Sequence, residues 1–292
     1  MQESYKRHTK HLAIRLPCRT FTILKLKIKV MTTKPKKRGR PSKNITYVPS
    51  LIDFSSVVKL DNLNLDSRMM ETMKTGLPID KLISHEGGIP CATNIMCIGD
   101  PGIGKTTVLL DILASAQNKG RKCLFISGEM GKKQMFKYTE RFKQFGIVQT
   151  LFTQDYIDHN TKDVIEQVLN IGWDLVLIDS AAEIIEGVRE DNGWDRKMAE
   201  SWLVDICVKN NKGENKENKY TSFLLIQQVT KTGLFAGSNK LKHMMDAMME
   251  MRKETDRDGG ASYIVFSKNR NGIVDQKSYF ELSNSRITYS RV

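Results

Sequence analysis

An α/β fold is predicted, with a mainly parallel, twisted sheet flanked by helices and a C-terminal β-hairpin. Three observations predict it. Apolar, strand-like runs alternate with stretches of helical periodicity between residues 94 and 251, an order that builds a parallel sheet covered on both faces. The run Leu175-Val176-Leu177-Ile178 is apolar at every position, as in a strand buried on both sides. Segments 278–282 and 286–289 then read as a closing hairpin, which implies an antiparallel edge.

In chain order, Asn94–Gly99 is an apolar run entering a glycine-rich turn, and Lys105–Asn118 has helical periodicity. Residues 122–127 read as a strand and 132–145 as a helix. A helix is expected over 161–170, a strand over 173–178 and a helix over 195–210. A polar loop, 213–219, precedes a strand at 222–227. Residues 238–251 carry a helical pattern and 261–267 a strand. No internal repeat is evident.

Composition narrows the function classes. The 292 residues are 40% hydrophobic, ordinary for a globular protein, and suffice for one large domain with a tail. No apolar run approaches the roughly 20 residues that span a bilayer, so no membrane span is expected. The five cysteines (Cys18, Cys91, Cys97, Cys123, Cys207) are scattered and form no CxxC pair. Zinc and a disulfide framework are therefore not expected, and reduced thiols in a cytoplasmic setting are.

The net charge of +13 is unevenly placed. Residues 1–43 carry 14 Lys/Arg and one acid, Glu3, while the rest carries 32 basic and 32 acidic side chains. Basicity thus belongs to an N-terminal arm, and the body is balanced. Residues 1–30 end in Leu24-Lys25-Leu26-Lys27-Ile28-Lys29-Val30, a period-two pattern, and Met31 offers a second start. They read either as sequence upstream of the true start or as a disordered or hairpin arm. Residues 31–49 form a disordered basic segment. Its Arg38-Gly39-Arg40-Pro41 core resembles an AT-hook, in which an extended Arg-Gly-Arg enters the A·T minor groove. Lys37, Arg38 and Arg40 are candidate DNA contacts there, and a basic tail gripping phosphates is the plainer reading.

The chemistry is concentrated in Gly99-Asp100-Pro101-Gly102-Ile103-Gly104-Lys105-Thr106, followed by Thr107. Gly-x4-Gly-Lys-Thr between an apolar strand and a helix is the phosphate-binding P-loop. Its glycines let backbone N–H groups turn around phosphates, and the helix N-terminus adds its positive end. Lys105 is expected to reach the β- and γ-phosphates of ATP, and Thr106 to give a hydroxyl to Mg²⁺. Asp179, at the carboxyl end of a buried strand, suits the acid that holds the metal; the competing reading is helix capping beside Ser180. Glu129 ends the strand after the P-loop helix, where a carboxylate can orient and deprotonate water, although glutamate near a strand end is common.

Together these pieces resemble the bacterial RadA (Sms) ATPase family of the RecA-like superfamily. The resemblance is carried by residues 99–107, Phe125-Ile126-Ser127-Gly128-Glu129, Leu225-Ile226-Gln227-Gln228-Val229-Thr230-Lys231-Thr232-Gly233, Leu241-Lys242-His243-Met244-Met245-Asp246 and Lys268-Asn269-Arg270-Asn271-Gly272, in order over roughly residues 75–285. It implies that Glu129 is the catalytic carboxylate. Gln228 stands where the family has His, and Gln there is what RecA- and DnaB-type proteins use to sense the γ-phosphate. Lys231 begins a segment that lies near DNA in the family. Lys268 and Arg270 are implied to reach the neighbouring subunit's nucleotide, having no evident partner within their own subunit's site. Asn271 replaces the signature's Phe. Thr75-Gly76-Leu77-Pro78 and Gly87-Gly88-Ile89-Pro90 are similar to the lead-in of KaiC-like ATPases.

These readings place a RecA-like P-loop ATPase domain at 50–292 behind the basic arm. The expected function is an ATP- and Mg²⁺-dependent motor that moves on or remodels single-stranded or branched DNA in recombination, repair or replication, as a homo-oligomer such as a hexameric ring in a bacterial or phage-infected cytosol. Two rivals are a KaiC-like regulatory ATPase acting on protein partners and a nucleotide-locked DNA tether.

Overall fold

A computed structural model describes residues 57–228, 239–254 and 260–290. The arm, with Lys37, Arg38 and Arg40, and the segment containing Lys231 lie outside the described residues. In chain order the elements are β1 (Thr72–Met73), α1 (Asp80–Ile83), β2 (Ile89–Pro90), β3 (Asn94–Gly99), α2 (Lys105–Asn118), β4 (Cys123–Ser127), α3 (Lys132–Arg141), β5 (Gln149–Phe152), α4 (Thr161–Leu169) and β6 (Leu175–Asp179). They continue with α5 (Ala181–Asn192), α6 (Arg196–Asn211), β7 (Ser222–Ile226), α7 (Asn239–Met244), β8 (Ala247–Lys253), β9 (Ser262–Asn269), β10 (Ser278–Leu282) and β11 (Ile287–Tyr289).

Among the described residues the main sheet runs β11-β10-β9-β8-β3-β7-β6-β4-β5. From β5 to β8 every pairing is parallel, and β9, β10 and β11 add antiparallel strands at one side. β3 lies in the interior, and all six of its residues are buried. Its side chains alternate between two cores: Ile95 and Cys97 join one with α2, while Met96 and Ile98 join the other with α4, α5 and α6. Helices on both faces thus remove the whole strand from water, at roughly 25 cal/mol per Å² of apolar surface covered.

The parallel arrangement brings the carboxyl ends of β3, β4, β6 and β7 to one rim, where open α/β sheets bind ligands. Helix and strand bounds agree with the sequence reading along β3, α2 and β10. The expected helix over 238–251 is corrected: α7 stops at Met244, and Ala247–Lys253 is a strand. Ala247, Met248, Met249 and Met251 are all buried, because β8 is wedged between β3 and β9. A strand covered on both faces shows no alternation, and Ala, Met and Glu are good helix formers, so the local signal pointed the wrong way. The expected helix over 132–145 ends at Arg141, where Phe142 turns out of helical geometry and stacks on Phe145 with ring centroids 5.1 Å apart.

Candidate functional site

Glycine makes the loop between β3 and α2 possible. Gly104 caps α2 with φ 100°, and a Cβ there would lie 2.3 Å from Leu282 Cδ1. The Lys105 ammonium turns back over the loop and donates to the carbonyls of Gly99 (2.8 Å) and Asp100 (3.0 Å). Thr106, in the first turn of α2, points across the rim, and its hydroxyl donates to Asp179 Oδ2 at 2.5 Å. Two hard oxygen donors therefore adjoin the loop, the set that suits Mg²⁺ shared with phosphates.

Asp179 is 3% exposed. Burial pushes its carboxyl up from 3.8 to about 6; the Thr106 hydroxyl opposes this, the Glu129 charge adds to it, and Lys105 opposes it. Helix capping at this position falls to Ser180, whose hydroxyl accepts from the Glu183 N–H, leaving the Asp179 carboxylate to Thr106. The raised value has a consequence. Between about pH 4 and 6 the folded chain keeps a proton that the unfolded chain has lost, so stability falls as pH rises through this window and levels above it. Asp179→Asn is expected to remove that loss, by up to ~3 kcal/mol, and to raise the thermal midpoint of the nucleotide-free chain at pH 7.5. Burial raises Asp111 also, so the comparison is with wild type across the pH series. An unchanged midpoint would refute the assignment.

Glu129 follows β4 in a turn clamped to β6: the N–H groups of Gly128 (2.7 Å) and Glu129 (3.3 Å) both donate to the Asp179 carbonyl. Gln228, just past β7, donates from Nε2 to Glu129 Oε1 at 3.1 Å. Loop, acid pair and carboxamide meet around one cavity of about 490 Å³. Gly99, Pro101, Gly102, Gly104, Lys105, Thr106 and Thr107 line it with Glu129, Asp179 and Gln228. Asp100 and Ile103 do not; Asp100 gives its carbonyl to Lys105, and Ile103 packs on the core.

The family model of the RecA N-terminal domain matches residues 45–287. The chain belongs to the RecA N-terminal domain family. Its relatives include the DNA repair protein RadA of Rickettsia bellii, 30% identical over 84% of this chain and 51% of that protein. RadA of Mycobacterium tuberculosis is 27% identical over 76% of the chain and 44% of the relative, and RadA of Listeria monocytogenes 27% over 87% and 51%. The chain thus spans about half the length of the relatives it matches. A KaiC-like protein from Pyrococcus horikoshii shares the fold, with TM-score 0.59 and 18% identity over 76% of this chain and 99% of that one. This is a RadA-like chain of the RecA superfamily.

Two residues singled out in this RecA-family chain sit elsewhere. Lys268 donates to the carbonyls of Met245, His243 (3.2 Å) and Lys242 (3.4 Å) at the end of α7, a favourable place for a cation. Burial, and then the Arg270 charge, lower its affinity for the proton. Arg270 Nη1 pairs with Asp246 Oδ1 at 3.0 Å. Both cations therefore have partners in their own chain, and neither lines the cavity. Strand register explains the separation. Met251 of β8 lies beside Gly99, while Ala247 lies opposite Asn269, four residues or about 13 Å back along the strand.

Four residues lining the cavity were not among the residues expected from sequence to form the site: Tyr138, Arg141, Ile226 and Leu282. Arg141 Nε also donates to the Asn284 carbonyl at 3.0 Å, linking α3 to the hairpin. Tyr138 and Arg141 sit three apart on α3, and that spacing was the one available signal.

Proposed function

We propose that this chain hydrolyses ATP with Mg²⁺ and couples turnover to movement on, or remodelling of, DNA. The observation that carries the reading is the meeting of Lys105, the Thr106–Asp179 pair and the Gln228–Glu129 pair around one cavity. Lys105 leaves its two carbonyls for the β- and γ-phosphates. Thr106 and Asp179 would hold Mg²⁺, which would offset phosphate charge and favour the ionised Asp179 carboxylate. Glu129 orients a water and takes its proton, while Gln228 fixes the Glu129 carboxylate and senses the γ-phosphate. Tyr138, Arg141 and Leu282 complete the wall of the cavity that takes the nucleotide.

The likeness to proteins named for DNA repair supports a DNA substrate in recombination, repair or replication. Lys37, Arg38, Arg40 and Lys231 are the proposed DNA contacts. Lys268 and Arg270 complete a neighbouring subunit's site, which makes the working form a homo-oligomer such as a hexameric ring in the cytosol.

ATP turnover of the full chain with and without single-stranded or branched DNA tests this. Turnover is expected to rise with DNA, at a DNA concentration that climbs steeply from 50 to 200 mM salt, and less so after alanine replaces Lys37, Arg38 and Arg40. Turnover indifferent to DNA would instead support regulation of protein partners. Binding without turnover would support a tether.

A further inference from the structure

Between the two cations of residues 268–272 stands a side chain with a fuller set of contacts than either. Asn269 Nδ2 donates to the carbonyls of Leu82 (2.9 Å) and Ile83 (3.1 Å), at the end of α1. Its Oδ1 accepts from the N–H groups of Asn271 (3.0 Å) and Gly272 (3.1 Å). Two donor hydrogens and two acceptor sites are all that a carboxamide has, so Asn269 is saturated.

The backbone reinforces the docking. His85 N–H donates to the Asn271 carbonyl (3.0 Å) and Ile273 N–H to the Leu82 carbonyl (3.2 Å). Gly272 allows the approach, because a Cβ there would lie 2.5 Å from the Leu82 oxygen and 2.6 Å from that of Ile83. On the other flank, Arg270 N–H donates to the Asp246 carbonyl (3.1 Å), and Asp246 Oδ2 accepts from the Asn94 N–H (2.9 Å) at the start of β3. The turn is thus pinned to α1 on one side and, through Asp246, to the P-loop strand on the other.

We propose that Asn269 is a positioning residue. Its carboxamide shapes the turn and anchors it to α1, so that Lys268 and Arg270 are presented from a rigid base to the nucleotide of the adjoining subunit. The proposal rests on the trans-acting reading of those two cations. Only Asn meets the requirement: Asp has no donors for the α1 carbonyls, Ser and Ala are too short, and Gln is one methylene too long. Misplacing a reacting or charge-stabilising group by about 1 Å can cost on the order of 10²-fold in rate.

Subunit mixing tests it. Full-length Asn269→Ala is expected to turn over ATP about 10²-fold more slowly, with affinity for a fluorescent ATP analogue within about 3-fold of wild type. Mixing it with Lys105→Ala subunits, whose own loop is disabled but whose turn is intact, is expected to restore part of the turnover, because every Asn269→Ala site that adjoins a Lys105→Ala subunit then receives a correctly held cation. Arg270→Ala mixed in the same way reports on the trans-acting reading alone. Rescue of Arg270→Ala with normal turnover by Asn269→Ala overturns the proposal and leaves that reading standing, as does rescue of Arg270→Ala but not of a slowed Asn269→Ala. No rescue of Arg270→Ala overturns the reading itself. Asn269→Asp keeps both acceptors of the turn, and it carries the same mixing test should the alanine variant fail to fold; normal turnover by Asn269→Asp would overturn the need for the donors.

Discussion

Glu129→Gln is expected to lower ATP turnover by about 10²–10⁴ while leaving nucleotide affinity within a few-fold of wild type. The substitution is informative because it changes so little else. Gln228 Nε2 donates to Glu129 Oε1, and the amide oxygen of a glutamine can accept the same bond. The turn is held by the backbone N–H groups of residues 128 and 129 on the Asp179 carbonyl, and these do not depend on the side chain. What disappears is the capacity to take a proton from water. The Glu129 charge also raises the Asp179 carboxyl, so the variant should be slightly more stable above pH 6 in the absence of nucleotide, a direction opposite to that of a damaged fold. Single-turnover hydrolysis, fluorescent-analogue binding and thermal melting give the three readings. Turnover within about 3-fold of wild type would remove Glu129 from the mechanism.

The parts of this site that could be read from sequence are those whose chemistry is local. The P-loop declares itself because glycines, Lys105 and Thr106 are consecutive and flanked by an apolar strand and a helix. Asp179 was legible because four apolar residues before it mark a buried strand, and parallel strands bring their carboxyl ends to one rim. Glu129 was only half legible: strand order puts β6 and β7 between β3 and β4, and nothing in the residues themselves says that β4 ends beside β6. Gln228 was reached through resemblance, and its bond to Glu129 spans 99 positions. Tyr138, Arg141 and Leu282 depend on how α3 and the hairpin fold back over the loop, which local pattern does not encode. β8 was missed for a related reason, since its identity as a strand comes from β3 and β9 on either side. In the sequence Asn269 is one letter of a motif, and the contacts that single it out are with the α1 carbonyls, which lie 186 and 187 positions away.

Arg270→Ala is expected to lower turnover by about 10³–10⁵, the range associated with a cation supplied to the γ-phosphate by a neighbour, with little effect on melting. The two halves of that expectation come from one geometry. Arg270 is 58% exposed, and its pair with Asp246 is a surface ion pair, worth about 0–1 kcal/mol. Asp246 keeps the Asn94 N–H when Arg270 is removed, so the start of β3 is not released. A guanidinium held this lightly can exchange one carboxylate oxygen for phosphate oxygens, where it binds as a two-pronged donor. Arg270→Lys should therefore recover only part of the rate, because an ammonium keeps the charge and loses the fork. Since Arg270 stands one residue beyond Asn269, and so more than about 13 Å along the strand direction from the P-loop of its own chain, wild-type turnover per chain should also rise with protein concentration until assembly is complete. Arg270→Ala within about 3-fold of wild type, or turnover per chain independent of concentration down to the monomer, would place the whole catalytic apparatus within one subunit.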